Sequence, residues 1–491
     1  MVQPVVDILI QNIYAIITIV NLFLALTIIF IERKNVAATW AWLMVLLFLP
    51  VLGFILYFVF GQNMSRRKLY KLKEEEEKVI DHVLSQQWEQ FKRQQYPFHT
   101  PEVAAYRDMM LMNLSSSMAL YTQDNDVDIF TDGNQKFAAL FEAIEGARDH
   151  IHVMYYIFND DEIGRKLRDA LTAKAKEGVE VRFLYDHIGS RDLTDFFFQP
   201  LKEAGGKVAA FFPSRIPFLN IRVNYRNHRK IVIVDGKVGF LGGFNVGNEY
   251  LGLDQRFGYW RDTHLSIRGS AVLQLQTQFF LDWNLSSEDQ LRTEQRYFLS
   301  QQFNDSMAGQ TGIQIVSSGP DNIMEQVKNG YIKLIHKAKK SVWIQTPYFI
   351  PDESLLNTLK MAVLSGVDVR IMIPKVPDHK MIYWATYSYL GDLLPLGVKC
   401  YLYAKGFLHA KTIVVDGVAA SVGTANFDIR SFKLNFETNA FIYDQDIATQ
   451  MMEIYQRDIK DCVRLPYHEY EQRSRMQRLK ESFARLLSPI L

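Results

Sequence analysis

The stretches HRKIVIVDGKVGFLGGFN (228–245) and LHAKTIVVDGVAASVGTANF (408–427) repeat the same residue types at the same spacing, 181 residues apart. Both read H-x-K-x4-D-x6-G-x2-N: His228, Lys230, Asp235, Gly242 and Asn245, then His409, Lys411, Asp416, Gly423 and Asn426. On a strand, residues i and i+2 share a face, so each copy presents an imidazole beside an ammonium. The glycines let backbone approach a ligand, and the asparagines offer amide donors. Two such sets around one phosphodiester would suffice for its exchange. A neutral imidazole attacks phosphorus and a protonated one returns a proton to the leaving alkoxide. Two lysines and two asparagines stabilise the charged oxygens, with no metal and no cofactor required.

Asp235 and Asp416 each precede a glycine, where an Asp-Gly turn joins two buried strands. Two readings stand for them: a direct part in catalysis, or an anchor for the hairpin. Asp262 in YWRDTH and Glu437 in LNFET are the better candidates for orienting the histidines, because a carboxylate on the far ring nitrogen fixes the tautomer and raises basicity.

The elements that must position these residues also come twice. HIHVMYYIF (150–158) reads as a strand, GRKLRDALTAKAKEG (164–178) as an amphipathic helix and VEVRFLYD (179–186) as a strand. AKKSVWIQTPYFI (338–350) parallels ARDHIHVMYYIF (147–158), and GVDVRIMI (366–373) parallels GVEVRFLY (178–185). The expectation is an α/β fold of two homologous sandwich lobes facing each other, over 120–290 and 312–465. Residues 65–119, which contain KLKEEEEK, are expected to be linker and helix, and 466–491 a C-terminal amphipathic helix. That last helix packs on the protein's own core or lies on a membrane.

The chain has 491 residues, 55 basic and 54 acidic side chains and two cysteines. Near-neutral charge argues against a nucleic-acid partner. Two thiols make neither a disulfide framework nor a zinc site. Apolar residues concentrate at the start: 24 uncharged residues from Ile8 to Ile31 and 31 from Asn35 to Ser65. Either run is long enough to cross a bilayer as a helix. The expectation is a transmembrane hairpin over 1–64, with helices near 8–31 and 36–60. No Lys or Arg precedes Arg33, so a signal peptide's basic start is missing. Arg66, Arg67, Lys68, Lys71 and Lys73 at the exit outnumber Arg33 and Lys34 at the turn, which puts the lobes on the cytoplasmic side.

The duplicated motif resembles the signature of the phospholipase D superfamily. YYIF, NHRKIVIVDGKVGFLGGFNVGNEYLG, FGYWRDTH, TPYFIPD and RLLSPIL, with the amino-terminal TWAWLMVLLFLPVLGFILYFVFG, look like the bacterial cardiolipin synthase branch. That resemblance implies a phosphatidyltransferase in the cell membrane, which joins two phosphatidylglycerols into cardiolipin and releases glycerol through a phosphatidyl-histidine. It implies His228 as nucleophile and His409 as acid. Lys230, Asn245, Lys411 and Asn426 would hold phosphate, Asp262 and Glu437 would partner the histidines, and Thr424, where the first lobe has Gly243, would touch phosphate. No nucleotide is implied, in keeping with the absence of a G-x4-G-K-[ST] loop. A homo-oligomer is compatible with the sequence.

Competing readings use the same residues with water or serine as acceptor, as a phospholipase D or a phosphatidylserine synthase. A non-catalytic lipid-binding scaffold should have lost a His or Lys; neither lobe has. The loop PSRIPFLNIRVNYR (213–226), with Arg215, Arg222 and Arg226, reads either as a headgroup grip or as an ordinary loop.

Overall fold

The computed structural model describes residues 2–32, 36–60, 74–213, 224–302 and 309–488. The chain divides into two compact units. One comprises Met1–Arg67, Ser214–Tyr225 and Pro320–Ile323; the other comprises Lys68–Pro213, Arg226–Gly319 and Met324–Leu491.

In the first unit, the helix Val2–Thr27 is followed by two short helices, Val36–Phe48 and Pro50–Phe60. The sequence predicted one continuous helix over 36–60, and the structure divides it at Pro50. Proline has no N–H to give to the carbonyl four residues back. That carbonyl, Leu46 O, instead accepts from Asn21 Nδ2 (3.3 Å), which also reaches Pro50 O (2.9 Å). Ile28, Leu46 and Tyr57 form a small core, and Trp42 meets Tyr57 edge-on at 5.2 Å. The two pieces have 13 and 11 residues, about 20 and 17 Å, against the roughly 30 Å hydrocarbon layer. Among the described residues no helix is long and apolar enough to cross a membrane. The basic residues used to orient the hairpin, Arg33, Lys34, Arg66, Arg67, Lys68, Lys71 and Lys73, lie outside the described residues, as do Arg215 and Arg222 of the 213–226 loop.

The second unit is a mixed α/β fold of two lobes built around one 16-stranded sheet. At its centre the strands Tyr121–Phe130 and Thr311–Ser318 run antiparallel. Outward on one side lie His264–Arg268, Val238–Gly242, Ile231–Val234, His150–Tyr155, Glu180–Asp186 and Lys207–Phe211. On the other side lie Asn435–Tyr443, Ala419–Gly423, Thr412–Val415, Ser341–Gln345, Asp368–Pro374 and Lys399–Tyr403, with Cys462–Leu465 added at the edge. The order is the same from the centre outwards, so the repeated sequence folds twice into one topology. The inner strands are buried along their length, as strands covered on both faces must be. Helices Glu74–Lys92 and Arg107–Ser117 add Phe91, Met109, Met110 and Leu114 to the second-lobe core.

Candidate active site

His228 and Lys230, like His409 and Lys411, lie just before the strands and not on one as expected; each motif then continues through a pair of adjacent strands, Ile231–Val234 with Val238–Gly242 and Thr412–Val415 with Ala419–Gly423. The Asp-Gly turns between them hold both residues at positive φ, +54° and +63° for Asp235 and Gly236, +56° and +69° for Asp416 and Gly417. That is the backbone of a tight turn matched to strand twist. Asp235 accepts from the backbone N–H groups of Arg148, Asp149 and His150, and Asp416 from those of Lys339, Lys340 and Ser341. Neither aspartate lines the cavity. Of the two readings, the geometry matches the anchor: each carboxylate ties its turn to the start of the neighbouring strand.

The short strand before each motif pairs in parallel with a strand of the opposite lobe. Arg226 lies opposite Asn435 and Asn227 opposite Phe436. Gly406, Phe407 and Leu408 lie opposite Tyr259, Trp260 and Arg261. Extended by one residue, this register sets His228 beside Glu437 and His409 beside Asp262. The backbone N–H of His228 donates to Phe436 O (2.9 Å), and that of His409 to Arg261 O (2.7 Å). His228 Nδ1 lies 3.0 Å from a Glu437 oxygen, with Thr424 O at 3.1 Å. His409 Nδ1 lies 2.6 Å from Asp262 Oδ2. With Nδ1–H donating to the carboxylate, each Nε2 carries its lone pair on the other side of the ring.

Both imidazoles line one cavity of about 420 Å³. Asn245, Asn426, Tyr156, Trp260, Arg226 and Arg430 are also among its walls. Asn245 accepts from Ile157 N–H and donates to Tyr250 OH, while Asn426 donates to Asp428. Both motif lysines are fully buried. Lys230 Nζ donates to His228 O at 2.6 Å, and Lys411 Nζ donates to His409 O.

Burial, reinforced by the lysine charges, brings both histidines down to about 4, against the opposing pull of their carboxylates. Burial likewise lowers Lys411 to about 8 and holds Lys230 well below its ordinary value. For Asp262 and Glu437, burial pushes upward, yet the facing lysines and histidines outweigh it and keep both below the usual carboxylate range. At neutral pH the imidazoles facing the cavity are therefore neutral and the carboxylates behind them ionised, and an entering anion would raise the proton affinity of the imidazoles and of both lysines. Among the described residues no cluster of three His, Cys, Asp or Glu side chains is placed to hold a metal.

Two positions are corrected in their detail. The Thr424 hydroxyl is fully buried: it accepts from Thr438 N–H (2.9 Å), lies 3.3 Å from Thr438 O and also bonds the Glu437 carboxylate. It does not face the cavity. At Gly243 a Cβ would stand 1.9 Å from Asp262 Oδ1, so this glycine makes room for a carboxylate. Sequence reasoning overlooked Tyr156 and Trp260 as cavity walls, although both lie in quoted segments; their rings stand 4.8 Å from His228 and 5.2 Å from His409. It also passed over Arg229, between the motif His and Lys. Arg229 is buried, bonded to both Asp282 oxygens at 2.8 Å, and reaches Thr438 Oγ1 across the lobe boundary. A charged residue with such a role carries no periodic signal.

The family model described as cardiolipin synthase, PLD-like domain, matches residues 140–279 and again 331–459. Together the two matches cover more than half of the chain. This chain belongs to the cardiolipin synthases of the phospholipase D superfamily. A second model, for the phospholipase D-nuclease N-terminal segment, matches residues 12–62. The chain is 53% identical to the major cardiolipin synthase ClsA of Bacillus subtilis, over 96% of this chain and 98% of that one. It is 50% identical to a cardiolipin synthase of Oceanobacillus iheyensis at the same coverages, and 49% identical to one of Listeria monocytogenes, over 98% of this chain and all of that one. Among solved structures, phosphatidylserine synthase of Haemophilus influenzae aligns with a TM-score of 0.58 and 17% identity, over 80% of this chain and all of that one. At that identity the likeness speaks for the fold.

Proposed function

We infer that the chain is a phosphatidyltransferase that converts two phosphatidylglycerols into cardiolipin and glycerol. The observation that carries this reading, beside family membership, is that both motif imidazoles line one cavity and each is held by a carboxylate of the other lobe. His228 Nε2 attacks the phosphorus of the first lipid, and the P–O bond to its glycerol headgroup breaks. His409, protonated once the phosphate's negative charge raises its proton affinity, gives the departing alkoxide its proton. A headgroup hydroxyl of the second phosphatidylglycerol then loses its proton to His409 and attacks phosphorus, and the P–N bond breaks. One phosphodiester replaces another, so no activated donor is needed.

In this reading Lys230, Lys411, Asn245 and Asn426 balance the charge that builds on the phosphate oxygens. Glu437 and Asp262 fix the tautomers of His228 and His409 and steady the imidazolium forms. Asp235, Asp416, Gly243 and Thr424 act one step back, by shaping the turns and leaving room for the carboxylates. The catalytic lobes extend over 120–290 and 312–465 and face the cytoplasm. The amino-terminal segment anchors them as a hairpin, its second arm crossing as two short helices joined at Pro50. Support comes from the bulky apolar side chains that face outward there, among them Phe30, Leu47 and Phe48, and from Asn21, which satisfies the carbonyl freed by the proline, as lipid surroundings demand.

The deciding experiment supplies purified protein with headgroup-labelled and acyl-labelled phosphatidylglycerol in mixed micelles. Cardiolipin with free glycerol is the expected product pair. Phosphatidic acid in their place would make water the acceptor and remove the transferase reading.

A further inference from the structure

The helix Arg475–Leu487 is amphipathic, and its apolar face points the wrong way for a core helix. Its inward face is small and polar. Ala484 is fully buried; Glu481 is buried against Arg473 (3.0 Å). At its end Ser488 Oγ meets Tyr389 OH at 2.9 Å, and Arg485 pairs with Asp392 at 2.7 Å. These contacts fasten it to the helix Lys380–Leu390 and the residues just after it. Met476, Leu479, Phe483 and Leu486 recur at steps of three and four, so they share one side. They are 60%, 64%, 58% and 75% exposed. Single exposed apolar side chains are ordinary, but a continuous row of four long ones is an interaction surface.

Two further observations say what covers that row. At 100° per residue, Lys480 flanks it on one side, its ammonium 5.3 Å from the Trp384 ring centroid in a cation–π contact, and Arg475 flanks it on the other with Arg478 beyond. An apolar stripe edged with cations fits the boundary between acyl chains and anionic headgroups. Moreover, Ser488 at the end of this helix and His379 and Ile382 at the helix beneath it line the same cavity as His228 and His409. The stripe therefore lies on a structural element that runs to the wall of the cavity.

We propose that the Met476–Leu479–Phe483–Leu486 face is a membrane-docking surface for anionic lipid, one that brings the cavity to the bilayer independently of the amino-terminal segment. It rests on the reading that the substrates are bilayer lipids. The polar contacts with Arg473, Tyr389 and Asp392 hold the helix in place, so that docking needs no unfolding of the enzyme.

The test uses the full chain carrying an environment-sensitive fluorophore at Phe483→Cys, in a Cys462→Ser background, reconstituted into vesicles of phosphatidylglycerol and phosphatidylcholine with spin-labelled acyl chains. Strong quenching is expected at position 483, and weak quenching for the same label at Glu453→Cys. Equal, weak quenching at both positions overturns the proposal whatever the lipid product, which separates its failure from that of the transferase reading. A companion variant, Leu479→Gln with Phe483→Gln and Leu486→Gln, should retain its rate on short-chain lipid in micelles and lose about tenfold on vesicles. An unchanged vesicle rate would overturn the proposal. So would a shift from dimer to monomer in detergent, since a second copy would then be the occupant of the stripe.

Discussion

A histidine that attacks phosphorus must begin neutral, and one that protonates an alkoxide must begin charged. Burial makes both neutral, at about 4, so the asymmetry the reaction needs has to arrive with the substrate's own negative charge. The carboxylates are what make an imidazolium tolerable at that depth. Asp262→Asn and Glu437→Gln should each lower kcat by about a hundredfold or more, with the fold retained by circular dichroism. The crossed contacts add a sharper expectation: Glu437→Gln impairs the histidine of the opposite lobe, so His228→Ala on top of it costs little more, whereas His409→Ala deepens the loss. Additive losses in both double variants, measured as initial rates, would refute the pairing. The two His–Lys pairs were legible because five fixed residue types recur in order. Which carboxylate serves which histidine was not legible, since it depends on register between strands that set residues 209 and 147 positions apart side by side.

At the level of elements, the decisive pieces are short. Arg226–Asn227 against Asn435–Phe436 and Gly406–Leu408 against Tyr259–Arg261 are two- and three-residue strands, yet their register sets both dyads. The longer strands and the Asp-Gly turns could be read from alternation and turn chemistry. These short cross-lobe pairings have no pattern of their own. Gly243 depends on the same geometry. In Gly243→Ala the new methyl would collide with Asp262 Oδ1 at 1.9 Å, in a backbone fixed by the Gly243 N–H bond to Thr263 O. The carboxylate must turn away from His409, and kcat should fall by about tenfold to a hundredfold with little change in KM. Wild-type kcat in this variant would mean that Asp262 has freedom the packed site does not suggest. Pro50 marks another limit of legibility: hydropathy found the apolar run, and only the missing N–H explains why it forms two helices.

For the molecule as a whole, the repeat read from sequence appears as one sheet with a common strand order on either side of its centre. The amino-terminal segment is a different case, because apolar length alone does not determine how a helix breaks. The hairpin reading makes a whole-chain prediction: membranes washed with alkaline carbonate should retain the full-length protein in the pellet, as spanning proteins are retained. Release into the supernatant would leave the segment a surface attachment and remove the spanning assignment.

The crossed dyads also bear on recombination. Because His228 takes its carboxylate from the second lobe and His409 from the first, neither lobe contains a whole acid–base unit. A chimaera joining the first lobe of one relative to the second lobe of another would inherit two hybrid dyads and no parental one. Drift at either carboxylate is thus judged through a histidine encoded in the other half of the gene, so the two halves can diverge from each other only while they stay fitted to each other.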